Sequence, residues 1–236
     1  MRIRPQRLNT SIAALFMIGS FGFALGSVHA YASAVGATAD AVTFFVSSIF
    51  FTSASFLQLV QAQSPAMAPG AASPVVRQPA RLRAWLPHDR AWLAAATQFP
   101  GTLFFNATTG FALVQGMDAA QYDKVVWRPD FYGSVLFLVS STFAILALGR
   151  LLTWRPGDDG WRIAWLNMIG SIAFMVSAIA AYVIPRTDQA VSLAWADAGT
   201  FAGAVCFFFG AWLVMPAWTR ALETSGARAQ PAQPAD

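Results

Sequence analysis

The sequence predicts an all-α membrane protein with six transmembrane helices arranged as three parallel helical hairpins. Three observations point there. Apolar residues make up 56% of the 236-residue chain and charged residues only 11%, against about 25% charged in a soluble domain, whose surface must be wetted. Runs free of Asp, Glu, Lys and Arg and long enough to cross a bilayer occur six times, and the basic residues gather in alternate loops. This composition excludes a cytosolic enzyme, a disordered hub and a fibrous protein. It also makes the basic pI of about 9.8 a topology signal, not a nucleic-acid footprint.

A spanning helix needs about 20 mostly apolar residues, because the hydrocarbon core is about 30 Å thick and a helix rises about 1.5 Å per residue. The uncharged runs cover 8–39, 41–76, 91–117, 131–149, 163–185 and 198–219. Trimmed at turn and breaker residues, they predict helices near 11–31, 41–61, 93–114, 131–152, 161–184 and 198–218. Transmembrane β-strands would need about 10 strictly alternating residues each, and no segment alternates that way. The first run also resembles a signal peptide, with Arg2, Arg4 and Arg7 before it and Val28-His29-Ala30 as a small-residue cleavage site. The repeat described below favours a retained helix.

Orientation follows from the basic residues. A cytoplasmic N-terminus places Arg2, Arg4, Arg7, Arg77, Arg81, Arg83, Arg90, Arg150, Arg155, Arg162, Arg220 and Arg228 on one side, against Lys124, Arg128 and Arg186 on the other. The same assignment puts Asp40, Asp118, Asp123, Asp130, Asp188 and Asp197 outside. Both termini are therefore expected in the cytoplasm. Trp92, Trp127, Trp154, Trp161, Trp195 and Trp218 fall at predicted helix ends, where an indole prefers the headgroup layer.

A pattern recurs in each span: a small residue, then Ser, Thr or Ala, then Phe three further on, then a second small residue. Its copies are Gly19-Ser20…Phe23…Gly26, Ser47-Ser48…Phe51…Ala54, Gly101-Thr102…Phe105…Thr108, Gly133-Ser134…Phe137…Ser140, Gly170-Ser171…Phe174…Ser177 and Gly203-Ala204…Phe207…Gly210. Asp89-x-x-Trp92 and Asp158-x-x-Trp161 precede the third and fifth copies at matching distances. Asp40, Asp130 and Asp197 stand near the starts of the even helices, where a carboxylate can cap free N–H groups and favours the positive end of the helix dipole. The repeating unit reads as a hairpin used three times in one orientation, and pseudo-threefold packing is one arrangement it allows. Lipid tails are as apolar as leucine, so helices associate by close van der Waals contact. Gly19, Gly22, Gly26, Gly101, Gly133, Gly170, Gly199, Gly203 and Gly210 are accordingly expected to pack helix against helix.

The segments 133–141, 167–174 and 199–207, with their Gly, Ser and Phe texture, resemble the YrhK-like domain, a family of small bacterial integral membrane units. The likeness spans most of helices two to six and is weakest in helix one and the linker. It implies a bacterial inner membrane location. The family carries no established activity, so it transfers no functional residue.

The domain reading is a first hairpin over 1–63, a Pro/Ala/Arg linker over 64–90, a second hairpin over 91–152, a third over 153–220 and a disordered tail over 221–236. The composition of the linker predicts a mobile cytoplasmic segment.

Catalytic chemistry is sparse. No Asp, Glu, Lys or Arg lies deep in a predicted span, where ionisable groups would signal transport. His29 and His88 are assigned to opposite sides, so neither a shared haem nor a metal site is expected. The lone Cys206 excludes a disulfide framework within the chain, and no Gly-x-Ser-x-Gly elbow activates a serine. No cofactor, metal or nucleic-acid partner is expected. Uncharged polarity remains: Asn106, Thr108 and Thr109 near midplane, with Gln98 and Asn167 at equivalent cytoplasmic depths. Interhelical hydrogen bonding is their expected role, and a ligand site is the alternative. The function predicted is a non-enzymatic bundle with a structural, partner-binding or lipid-binding role, in contact with the bilayer and with other membrane proteins or a second copy. The alternative is a facilitator or channel for a small neutral solute lined by these amides and threonines.

Overall fold

The computed structural model describes residues 2–67, 76–114, 116–149, 154–187 and 189–229, with side chains as far as 220. The expectations for Arg150, the predicted helix end at 152, Asp188, the Arg228 side chain and the tail from 230 lie outside the described residues. Eight α-helices follow in order: α1 (Pro5–Gly26), α2 (His29–Val35), α3 (Ala37–Ala62), α4 (Arg90–Phe111), α5 (Ala119–Tyr122), α6 (Arg128–Ala147), α7 (Asp159–Ala180) and α8 (Leu193–Ala229). A π-helical turn, Asp123–Trp127, joins α5 to α6.

The helix ends have local causes. Pro5 opens α1, where a residue without an N–H costs nothing. The helix stops at Gly26, and the Ser27 hydroxyl donates to the Phe23 carbonyl at 2.8 Å. The predicted 11–31 helix therefore splits into α1 and the short α2. The recurring Asp-x-x-Trp turns out to be an N-cap. Asp89 accepts from the Ala91 and Trp92 N–H groups at 2.9 and 3.1 Å, and Asp158 from Gly160 and Trp161 at 2.8 and 3.4 Å. Asp40 and Asp130 differ: both sit inside first turns, and neither α3 nor α6 has a side-chain cap.

Among the described residues five stretches are long and apolar enough to cross a membrane: α1, α3, Ala119–Ala147, α7 and α8 as far as Arg220. The third of the six predicted spans, α4, has 22 residues but is not among them. Thr97, Gln98, Thr102, Asn106, Thr108 and Thr109 lower its apolarity.

The long helices close into a ring. The α1 helix packs on α3, α4 on α6 and α7 on α8, while α3–α4, α6–α7 and α8–α1 contacts complete the circuit. Neighbours run antiparallel, as the pairs Phe16–Phe51 and Phe23–Phe44 show for α1 and α3. What lets them approach is a mutual fit of glycine and phenylalanine. A methyl group on Gly101 would stand 2.9 Å from the Phe137 ring, one on Gly170 2.9 Å from Phe207, and one on Gly19 3.1 Å from Phe51. In return Gly133 lies under Phe105 and Gly203 under Phe174, at 2.9 and 2.7 Å. Ser47 occupies the corresponding place in α3, and its hydroxyl fills the space where a Gly22 side chain would be.

The six phenylalanines of the pattern meet at the centre. Phe51, Phe137 and Phe207 form a closed triangle with ring centroids 5.5–6.0 Å apart. Phe174 lies 5.5 Å from Phe207, 5.9 Å from Phe105 and 6.4 Å from Phe23. Around this layer the usual partition of polarity is inverted. Ser20, Ser48, Thr102, Ser134 and Ser171 are buried, while Ile18, Phe21, Ile49, Leu103, Val135, Ile172, Phe201 and Phe209 face outward. An apolar exterior of this extent suits hydrocarbon and not water.

At the N-terminal end the described part of the linker is fastened where a mobile segment was predicted. Strand β1 (Arg2–Ile3) pairs antiparallel with β2 (Gln78–Pro79). The Arg81 N–H donates to Ser64 Oγ at 2.9 Å and the Ala84 N–H to Gln63 Oε1 at 2.8 Å. Met67 is fully buried in the same core as Leu8, Ile12 and Phe16. At the opposite end β3 (Val183–Ile184) and β4 (Gln189–Ala190) form a small hairpin between α7 and α8.

Gly199 gives a direct test of close approach: its Cβ would lie 2.7 Å from the Ala173 carbonyl oxygen and 2.8 Å from the Ser177 nitrogen, both backbone atoms that cannot rotate away. Gly199→Ala is expected to destabilise the bundle by about 1–3 kcal/mol in a reversible detergent-unfolding titration. Gly157→Ala, with nothing within 4 Å, is expected to change it by less than about 0.5 kcal/mol.

Candidate functional site

Much of the buried polarity bonds between helices, while Ser27, Ser47 and Thr102 bond back to their own helices and the Ser20 and Ser55 hydroxyls have no partner among the described residues. On the α3–α4 seam Ser48 shares a hydrogen bond with Thr109 at 2.9 Å, and Thr52 donates to Asn106 Oδ1 at 2.9 Å. On the α4–α6 seam Ser140 donates to the Ala94 carbonyl at 2.8 Å and to Gln98 Oε1 at 3.2 Å. Ser141 and Ser171 meet at 2.8 Å between α6 and α7, and Ser177 reaches Thr200 and the Ala196 carbonyl at 2.7 Å between α7 and α8. The Asn167 side-chain oxygen lies against Gly210 of α8. Gln98, Asn106 and Asn167 are thus held on three different seams and do not converge.

Thr108 and Thr109 do reach a shared space. A cavity of about 320 Å³ opens where α1, α4 and α7 end and α3, α6 and α8 begin. Its base is made by Phe23, Phe51, Phe105 and Phe174, members of the central aromatic layer. Phe44, Tyr122 and Trp127 stand in its wall. The π-helical turn aims Trp127 inward, and the indole N–H donates to the Ala178 carbonyl at 2.8 Å. Tyr182 meets the same indole edge-on at 4.8 Å.

Asp40, Asp130 and Asp197 all line this cavity, one from each of α3, α6 and α8. Asp197 is exposed at the mouth, and Asp40 and Asp130 are half-buried. No hydrogen bond from a side chain and no ion pair reaches any of the three among the described residues. One Asp40 carboxylate oxygen is shut off from solvent without a partner. Arg128, a residue that could have paired with Asp130, bonds to Asp123 instead, at 2.8 and 2.9 Å. The three aspartates recur at matching places in the sequence, so the signal was present. Read as helix caps, they pointed to stability; in the structure they line the cavity. The phenylalanine base carried no sequence signal for a site, because its residues are those of the packing pattern.

Other candidates stay apart. His29 begins α2 near the mouth, close enough to Asp197 for their charges to interact, whereas His88 precedes α4 at the other end. Cys206 is half-buried on α8 beside Gly170. No three of His, Cys, Asp and Glu come together in a metal-holding geometry among the described residues.

No family model, curated protein or solved structure matches the chain. The resemblance to the YrhK-like domain therefore rests on its quoted segments alone.

Trp127→Phe removes the donor to Ala178 while keeping an aromatic wall. It is expected to cost about 0.5–1.5 kcal/mol of stability, measured by detergent unfolding.

Proposed function

We propose that the chain is a six-helix integral membrane bundle whose role is binding, without turnover. In this reading α4 crosses the bilayer with the five more apolar spans, because its polar residues are satisfied on the α3 and α6 seams. The three hairpins share one orientation, with pseudo-threefold packing about the phenylalanine layer and both termini in the cytoplasm of a bacterial cell. The closed Phe51, Phe137 and Phe207 triangle supports the threefold arrangement. The lipid bilayer is the immediate partner, through the outward Ile, Val, Leu and Phe side chains.

One observation carries the binding role: the cavity ends on aromatic rings packed centroid to centroid. A blind pocket suits a ligand that enters and leaves by one mouth. The alternative, a facilitator for a small neutral solute, draws on Thr108 and Thr109, which line the cavity. It requires the phenylalanine layer to part, and the amides it would use beyond that layer, Gln98 and Asn167, lie on separate seams.

Accessibility separates the two. In a Cys206→Ala background, Thr108→Cys is expected to react with a membrane-impermeant thiol reagent from the outer side only, and Asn167→Cys from neither. Reaction of Thr108→Cys from both sides would establish a through-path and remove the blind-pocket reading. Reproducible turnover of any substrate by the purified protein would remove the non-catalytic one.

A further inference from the structure

The three cavity aspartates need an account that helix stability does not supply. A carboxylate near a helix N-terminus gains about 0.3–1 kcal/mol from the dipole whether or not it faces a cavity. Here Asp40 and Asp130 do not cap their helices, and Asp197 lies past the first turn of α8, at whose start Ser192 accepts from the Trp195 N–H. One Asp40 oxygen is solvent-shielded with no donor. Such a group is costly to hold unless something occupies its lone pairs. Asp40 and Asp197 are also near enough for their charges to interact. Among the described residues no lysine or arginine lines the space, and His29 interacts with Asp197 near its mouth. An arrangement of three carboxylates around one apolar-based cavity leaves a cation-shaped deficit.

The cation's class follows from spacing and walls. A calcium-sized ion needs its oxygens within about 2.3–2.6 Å, and these carboxylates do not gather in a metal-holding geometry. The cation must therefore be large enough to reach between them. At about 320 Å³ the cavity stands at the lower end of small-molecule sites, roughly 300–1,000 Å³. Phe44, Tyr122 and Trp127 line it, and aromatic rings attract a cation within about 6 Å of the ring centroid. The phenylalanine base accepts an apolar substituent.

Building on the blind-pocket reading, we infer that the outer cavity binds an organic ammonium ion carrying an apolar group: the charged head lies among Asp40, Asp130 and Asp197, and the apolar part rests on the phenylalanine layer.

The test is isothermal titration of the full chain in detergent with benzyltrimethylammonium chloride, beside its uncharged carbon analogue neopentylbenzene and calcium chloride at matched ionic strength. The expected result is saturable one-to-one binding of the ammonium probe and none of calcium. Asp130→Asn is expected to weaken the probe at least tenfold, and Asp40→Asn/Asp197→Asn further. Asp118→Asn, at an exposed helix cap that asparagine also serves, outside the cavity lining, is expected to leave it within twofold. If the double variant does not fold, the single variant and the analogue still decide. Equal binding of neopentylbenzene would overturn the ammonium assignment while keeping a blind apolar pocket. Calcium binding that displaces the probe would make it a metal site. Equal weakening by Asp118→Asn would reduce the effect to surface charge. Absence of saturable binding of the ammonium probe to the folded protein would overturn the cation site, and two-sided labelling at position 108 would remove the pocket beneath it.

Discussion

The molecule depends on backbones coming within reach of each other, and glycine facing phenylalanine is what permits it. In a bilayer the hydrophobic effect does not drive helices together, since lipid tails solvate leucine as well as protein does. Cohesion must come from surface fit, and dispersion rewards fit only at contact distance. Gly101 beneath Phe137, Gly170 beneath Phe207 and Gly203 beneath Phe174 supply that distance. The rings then extend past the glycines to the axis, where they complete one another's packing. A side chain large enough to fill the centre is accommodated because its neighbour has none.

From that constraint the distribution of polarity follows. Closely approached backbones leave room for hydroxyls and little else, so small polar side chains lie along the seams, and many of them bond across or back to their own helix. Apolar chains are displaced outward, where hydrocarbon receives them. The layer of rings also divides the interior. On the N-terminal side Phe16, Ile12, Leu8 and Met67 continue the packing to the strap made by β1 and β2. On the other side the helices diverge into the aspartate-lined cavity. The site exists because packing stops there.

Much of the helical architecture was legible in the sequence because bilayer thickness leaves a direct mark: uncharged runs, flanking arginines and terminal tryptophans. The glycine and phenylalanine spacing marked the interior faces before any contact was known. Elsewhere local chemistry outweighed the run of apolar residues. The break after Gly26 left no mark in composition: the Ser27 bond to the Phe23 carbonyl is the same bond that Ser47 and Ser171 make in mid-helix. The fastening of 81–84 was invisible because it depends on Gln63 and Ser64, at the end of α3 and distant in sequence. The cavity was hidden for a different reason. Thr108 and Thr109 stood out by polarity, but Asp40, Asp130 and Asp197 have a sufficient local explanation at helix starts, and only three-dimensional placement shows that Asp40 and Asp130 do not cap and that all three share a space.

The interlock itself is most directly tested by a double-mutant cycle at Gly170 and Phe207, whose ring stands 2.9 Å from the position of an added methyl. Stability would be read by detergent unfolding for Gly170→Ala, Phe207→Leu and the pair. If the glycine exists to admit the ring, the smaller, flexible leucine relieves the added methyl, and the pair is less destabilised than the sum by about 0.5–3 kcal/mol. Strict additivity, with Gly170→Ala costing the same whether position 207 is Phe or Leu, would contradict the account.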